Sequence, residues 1–183
     1  MIKKNNNSYN KGFTLVELLV VTAVIGVLGV LSATLISSIL RSQNKTAIIN
    51  EVRQNGDLVI SKFERDVKQS SGISITGAAC PPTCTGTSVT LTTYQGTDII
   101  WVCTPAAAPA DGGFTRNGTS VINEDSDNGV SVSVCGFTLQ SSAGANIPQI
   151  VRLQFTLEQR SDVQRAEYQV REPFQVTAGT RAY

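Results

Sequence analysis

Residues 13–40 read FTLVELLVVTAVIGVLGVLSATLISSIL, 28 positions with a single charge, Glu17. A helix needs about 20 such residues to cross the hydrocarbon core of a bilayer. The apolar core of a cleaved secretory signal is shorter, about 7–15 residues. A membrane-spanning helix is therefore expected over 13–40. Lys3, Lys4 and Lys11 precede it without an acid, and Arg41 and Lys45 follow, so the positive-inside bias is modest. Cys80, Cys84, Cys103 and Cys135 all lie beyond the segment, on one side of it. An even set of cysteines suits an oxidising compartment, which predicts the N-terminus inside and the remainder outside. Glu17 is the anomaly. A carboxylate near the centre of a spanning helix costs about 2.5–3.5 kcal/mol, and less near an end. It marks a functional residue unless it merely snorkels to the inner surface.

The residues around Glu17 narrow this further. KGFTLVELLVV at 11–21 resembles the leader junction of type IV prepilins and of secretion-system pseudopilins. The shared features are a short basic leader, then Gly12, Phe13, Glu17 four positions later, and a long apolar run. The resemblance covers about residues 3–40. It implies cleavage between Gly12 and Phe13 by a prepilin peptidase, N-methylation at Phe13, and retention of the helix as an anchor. It implies an inner-membrane assembly platform, other pilin or pseudopilin subunits as filament partners, and passage from the cytoplasmic membrane to a surface or periplasmic filament. Glu17 is then expected to act in subunit assembly by neutralising the freed amine of a neighbouring Phe13. Phe13 and Glu17 share a helix face by their spacing, and pairing charges in a low-dielectric core fixes register. Gly26 and Gly29 either admit close helix neighbours or loosen the helix during assembly. No proline occurs before Pro81, unlike many major pilins, which favours a minor pilin or pseudopilin.

Beyond residue 40, Ile48, Val52, Val59, Phe63 and Val67 recur at helical period. Charged residues fill the other faces, Gly56 interrupts, and Gly72 is expected to cap the helix. One helix from Phe13 to Ser70 would have 58 residues and measure about 87 Å. The chain then turns rich in Thr, Ser, Gly and Val. Strands are expected at 73–75, 88–93, 98–103, 130–140, 149–159 and 166–177; several alternate with period two, as Val151, Leu153, Phe155 and Leu157 do. Residues 104–124, with Pro105, Pro109, Gly112, Gly113 and Gly118, read as a long loop. The predicted fold class is α+β and pilin-like, a long N-terminal helix packed on a mainly antiparallel C-terminal sheet. Its parts are a basic leader (1–12), a spanning or filament-core helix (13–40), its amphipathic continuation (41–71) and a β-rich head (72–183).

Other chemistry is weakly supported. Of the three possible cysteine pairings, Cys80–Cys84 and Cys103–Cys135 are favoured. A zinc site fits the spacing of the first pair but not the isolated second pair. NEDSDNG at 123–129 offers Asp125 and Asp127 to calcium, but its spacing fails the helix–loop–helix pattern, and a polar turn is the default. Asn44 and Asn117 open glycosylation-type triplets. Histidine is absent from the 183 residues, which removes the commonest general base, and no nucleophile–base pair stands out. No cofactor and no enzymatic activity are expected. The formal net charge is +1. Arg152, Arg160, Arg165 and Arg171 interleave with Glu158, Asp162, Glu167 and Glu172, a solvated mixed face rather than a nucleic-acid stripe. Tyr94, Trp101 and Phe114 offer a stacking patch only if Trp101 is not core. The alternative function is a monomeric surface-binding module tethered by its helix.

Overall fold

The computed structural model describes residues 12–76, 83–107, 111–126, 129–140, 148–160 and 170–181. Among them is one unbroken helix, α1 (Leu15–Lys68), followed by nine strands. The chain divides between Asn44 and Lys45 into two units. In the first, every residue of α1 from Leu15 is exposed. The second holds the remainder of α1 and both sheets.

Strands β1 (Ser70–Ile75), β3 (Ser88–Thr93), β4 (Asp98–Thr104), β5 (Gly113–Arg116) and β6 (Thr119–Ser120) form one sheet in that order. Strands β2 (Thr83–Gly86), β7 (Val130–Gln140), β8 (Ile150–Gln159) and β9 (Arg171–Gly179) form the other. All pairings between neighbours are antiparallel. The core follows from the two periodicities. Val52, Val59, Phe63 and Val67 are buried along α1, with Ile48 half-buried, while Val151, Leu153, Phe155 and Leu157 are buried along β8. Phe63 ties the helix to both sheets: its ring lies edge-on to Trp101 of β4 at 5.5 Å and tilted against Phe137 of β7 at 5.6 Å. Phe155 continues the cluster, at 5.0 Å from Phe114 and stacked on Phe174 at 5.1 Å.

Three sequence expectations change. The helix stops at Lys68, and Gly72 does not cap it; Gly72 lies within β1, where the register shifts between Ser70 and Gly72. The last turn is closed by Gln69 N–H on the Arg65 and Asp66 carbonyls, and the buried Ser70 hydroxyl donates to the Val67 carbonyl at 2.7 Å. Gly56 does not interrupt the helix; it is the point where the Phe174 ring sits on the helix, and a Cβ there would overlap the ring. Residues 104–124 are not one loop, because β5 and β6 lie within them. Asn117 and Gly118 have φ of 50° and 79°. Two successive positive φ values make the two-residue hairpin turn that Asn-Gly favours. Asn117 is locked there, its backbone N–H donating to the Ile100 carbonyl and its Oδ1 accepting from Ile100 N–H at 2.7 Å.

Candidate functional site at the start of the long helix

The first helical turn is built by a sequence pattern, Thr14-x-x-Glu17. Thr14 is the N-cap: its Oγ1 accepts the Glu17 backbone N–H at 3.3 Å, and its carbonyl accepts Leu18 N–H at 3.2 Å. A Thr followed three residues later by Glu is the capping-box signature, in which the hydroxyl and the carboxylate serve orphan N–H groups at the helix start. Glu17 also lies in the first turn, where the helix dipole favours an anion. Thr14 is the residue that sequence reasoning passed over, although the pattern was legible. Phe13 stands one position before the cap, and Gly12 one before that. A Cβ at Gly12 would meet nothing within 4 Å, so no contact within the chain demands glycine there.

The helix beyond this turn has an unusual chemistry. Phe13, Leu15, Val16 and the large apolar residues on to Leu40 are exposed. A contiguous apolar surface of this extent is far beyond the few hundred Å² that a soluble monomer leaves open. The polar side chains among them are turned back onto the helix. Thr22 Oγ1 donates to the Leu18 and Leu19 carbonyls, Ser32 to Leu28, Thr34 to Leu31 and Ser37 to Ala33, at 2.8–3.1 Å. Hydroxyls satisfied inside the helix add little cost in hydrocarbon. Added Cβ atoms at Gly26 and Gly29 would likewise meet nothing within 4 Å. Glu17 is left as the one charged side chain between Gly12 and Leu40, and among the described residues it makes no ion pair.

The head places the other candidates. Cys103 of β4 and Cys135 of β7 form a disulfide with Cα atoms 6.3 Å apart, joining the two sheets. Cys84 is also disulfide-bonded, and Cys80 lies outside the described residues. Asp127 lies outside them as well. At Asp125 the backbone is committed to the turn: Gly129 N–H donates to the Asp125 carbonyl, Val130 N–H to Asn123, and Arg160 Nη1 to Glu124. Among the described residues no three metal-ligating side chains converge. Asn123 instead anchors this loop to α1, donating from its backbone to Asn55 Oδ1 at 2.8 Å and from Nδ2 to Glu51 at 3.1 Å. Trp101 and Phe114 are buried and only Tyr94 is exposed, so the three make no stacking patch. Arg160 pairs with Asp111 and Arg171 with Glu158; Arg165, Asp162 and Glu167 lie outside the described residues.

One polar centre was not foreseen. Asp66 is 1% exposed, yet its carboxylate is fully served. Arg116 of β5 donates from Nε at 2.6 Å and Nη2 at 3.2 Å, and Trp101 Nε1 donates at 3.0 Å. The hydrogen bond to Asp66 and the charge of that carboxylate raise the Arg116 pKa above the ordinary arginine value, against the opposing effect of burial. Acid and base lie 50 residues apart, a separation no local pattern reveals.

Residues 7–33 match the family model for the prokaryotic N-terminal methylation motif. The match contains Gly12, Phe13, Thr14 and Glu17 and runs well into the apolar helix. The chain matches no curated protein and no solved structure.

Proposed function

We infer from this motif, which makes the chain a type IV pilin-like protein, that it is a structural subunit of a type IV pilus or pseudopilus. A prepilin peptidase cuts between Gly12 and Phe13, and Phe13 is N-methylated. The helix anchors the subunit in the cytoplasmic membrane with the head outside, and an assembly platform then passes it into a filament held together by packed helices. The observation that carries this is the pairing of the motif with an exposed, internally satisfied apolar helix. Such a surface needs lipid first and other helices afterwards. Gly12, unconstrained by the chain's own packing, suits recognition by a peptidase. The unbroken, proline-free helix supports a minor pilin or pseudopilin rather than a major subunit. The absence of histidine and of any nucleophile–base pair supports a structural rather than an enzymatic role.

The test is the N-terminal residue and intact mass of the chain from sheared filaments and, separately, from membranes. Methylated Phe13 in the sheared fraction is expected. A chain beginning at Met1, confined to membranes while prepilin peptidase is active, would leave only a tethered monomeric module.

A further inference from the structure

The outer face of the β2–β7–β8–β9 sheet carries an ordered row of polar side chains. Alternation buries Cys84, Leu139, Phe137, Val151, Leu153, Val176 and Ala178 on one side. The other side carries hydroxyls and amides. Register aligns Thr85, Thr138, Arg152 and Thr177 in a single row across all four strands. The flanking row holds Thr83 opposite Gln140. On the opposite flank Gln154 Nε2 donates to Gln175 Oε1 at 2.9 Å, which fixes both amides. A depression of 170 Å³ opens around Arg152, lined by Thr83, Thr138, Gln140, Ile150 and Thr177.

Arg152 differs from three other described arginines of the head. Arg116, Arg160 and Arg171 each hold a carboxylate. Arg152 has no ion pair or side-chain hydrogen bond among the described residues, and neither do the side chains of Thr85, Thr138 and Thr177. Its neighbours in the row and in the depression carry no charge. A guanidinium presents five donors in a planar fork that matches a carboxylate. Here, Ile150 apart, the fork is ringed by hydroxyls and an amide that both donate and accept neutral hydrogen bonds, the complement of sugar hydroxyls. The depression is smaller than the roughly 300–1,000 Å³ of a small-molecule pocket. It seats one unit of an extended chain lying on the sheet, not an enclosed ligand.

We propose that this face binds an acidic polysaccharide, with Arg152 holding the carboxylate of one uronic-acid unit and Thr85, Thr138, Thr177 and Gln140 engaging hydroxyls of that unit and its neighbours. The interaction is independent of filament assembly, so it is measured on the isolated full-length chain in a neutral detergent. Tetragalacturonate and its uncharged counterpart, galactotetraose, are titrated calorimetrically at fixed salt. Saturable binding of tetragalacturonate is expected, with galactotetraose at least tenfold weaker. Arg152→Gln should weaken tetragalacturonate at least tenfold, Arg152→Lys less, and Thr138→Val or Thr177→Val severalfold each. Arg65→Gln, which removes an exposed charge on the last turn of α1, should leave binding unchanged. Unchanged melting temperatures show that the variants fold. Absence of saturable binding overturns the proposal. So does equal weakening by Arg65→Gln, equal affinity for galactotetraose, or self-association of the chain that Arg152→Gln abolishes.

Discussion

Glu17 stands in the capped first turn of α1 and is proposed to act in assembly, and three substitutions separate the two roles. In its own helix it stands three residues after the Thr14 cap, which holds its backbone N–H. In the filament it is proposed to neutralise the amine of Phe13. The magnitudes differ. Replacing an N-cap threonine by alanine costs about 1 kcal/mol, roughly fivefold in the helix-start equilibrium. Breaking a charge pair in a dry core costs about 3–5 kcal/mol, roughly a hundred- to several-thousand-fold. Thr14→Ala removes the cap and keeps the charge. Glu17→Gln removes the charge but keeps a side chain that capping boxes accept. Glu17→Ala removes the charge and the side chain but keeps the backbone N–H that Thr14 caps. The assay is the ratio of processed chain in sheared filaments to that in membranes. Glu17→Gln and Glu17→Ala should both nearly abolish the filament fraction, while Thr14→Ala lowers it no more than about fivefold. If Thr14→Ala proves as severe as Glu17→Ala while Glu17→Gln assembles normally, the carboxylate acts through the helix start and the charge-pairing account is wrong.

The head yields further expectations. The Cys103–Cys135 bridge closes a span of 32 residues, so the double serine variant should lose about 4 kcal/mol by loop entropy, read as a lower unfolding midpoint that reductant shifts less than it shifts the wild type. Gly56→Ala should destabilise despite the roughly 1 kcal/mol gain in helix propensity, because the added methyl meets the Phe174 ring at an overpacking cost of about 1–3 kcal/mol. Phe174→Leu in that background should recover stability, and additive effects of the two changes would dismiss the clash. Asp66→Asn should cost about 3 kcal/mol by leaving Arg116 without its charge partner, and Trp101→Phe about 1 kcal/mol. The folded-state pKa of Arg116 is raised, so its contribution is complete below the ordinary arginine value and is lost only above it. Through this residue the melting temperature should not vary from about pH 6 to pH 10.

What the sequence made legible was whatever repeats locally. The apolar run at 13–40, the stripe from Ile48 to Val67 and the alternation of Val151 to Leu157 each carry their period within a few turns or residues. Strands β3 and β7 fall where that alternation put them. The β5–β6 hairpin was missed because Pro105, Pro109, Gly112 and Gly113 drew the whole stretch into a loop, although Asn117-Gly118 is itself a hairpin signal. The end of α1 was misplaced because Gly72 resembles a cap, whereas the buried Ser70 had already entered the sheet. Asp66 sat on what looked like a solvated helix face. Only the folded sheet brings Arg116 and Trp101 to it.

Two acids of α1, Asp66 and Glu17, show why the N-terminal half calls for something outside the chain. Asp66 is buried, and the head supplies an arginine fork and an indole N–H to meet it. Asn55 and Glu51, nearer the junction of the units, are likewise tied to Asn123. These polar groups are thus paired across elements. In the first half the hydroxyls are satisfied too, but only within the helix itself. Glu17 alone departs from this economy: a carboxylate among exposed leucines and valines, with no cation paired to it among the described residues. A chain that pairs Asp66 so fully leaves Glu17 open at the one place where cleavage after Gly12 would create a new cation. Its partner is then a product of processing, which would make assembly competence conditional on the cut.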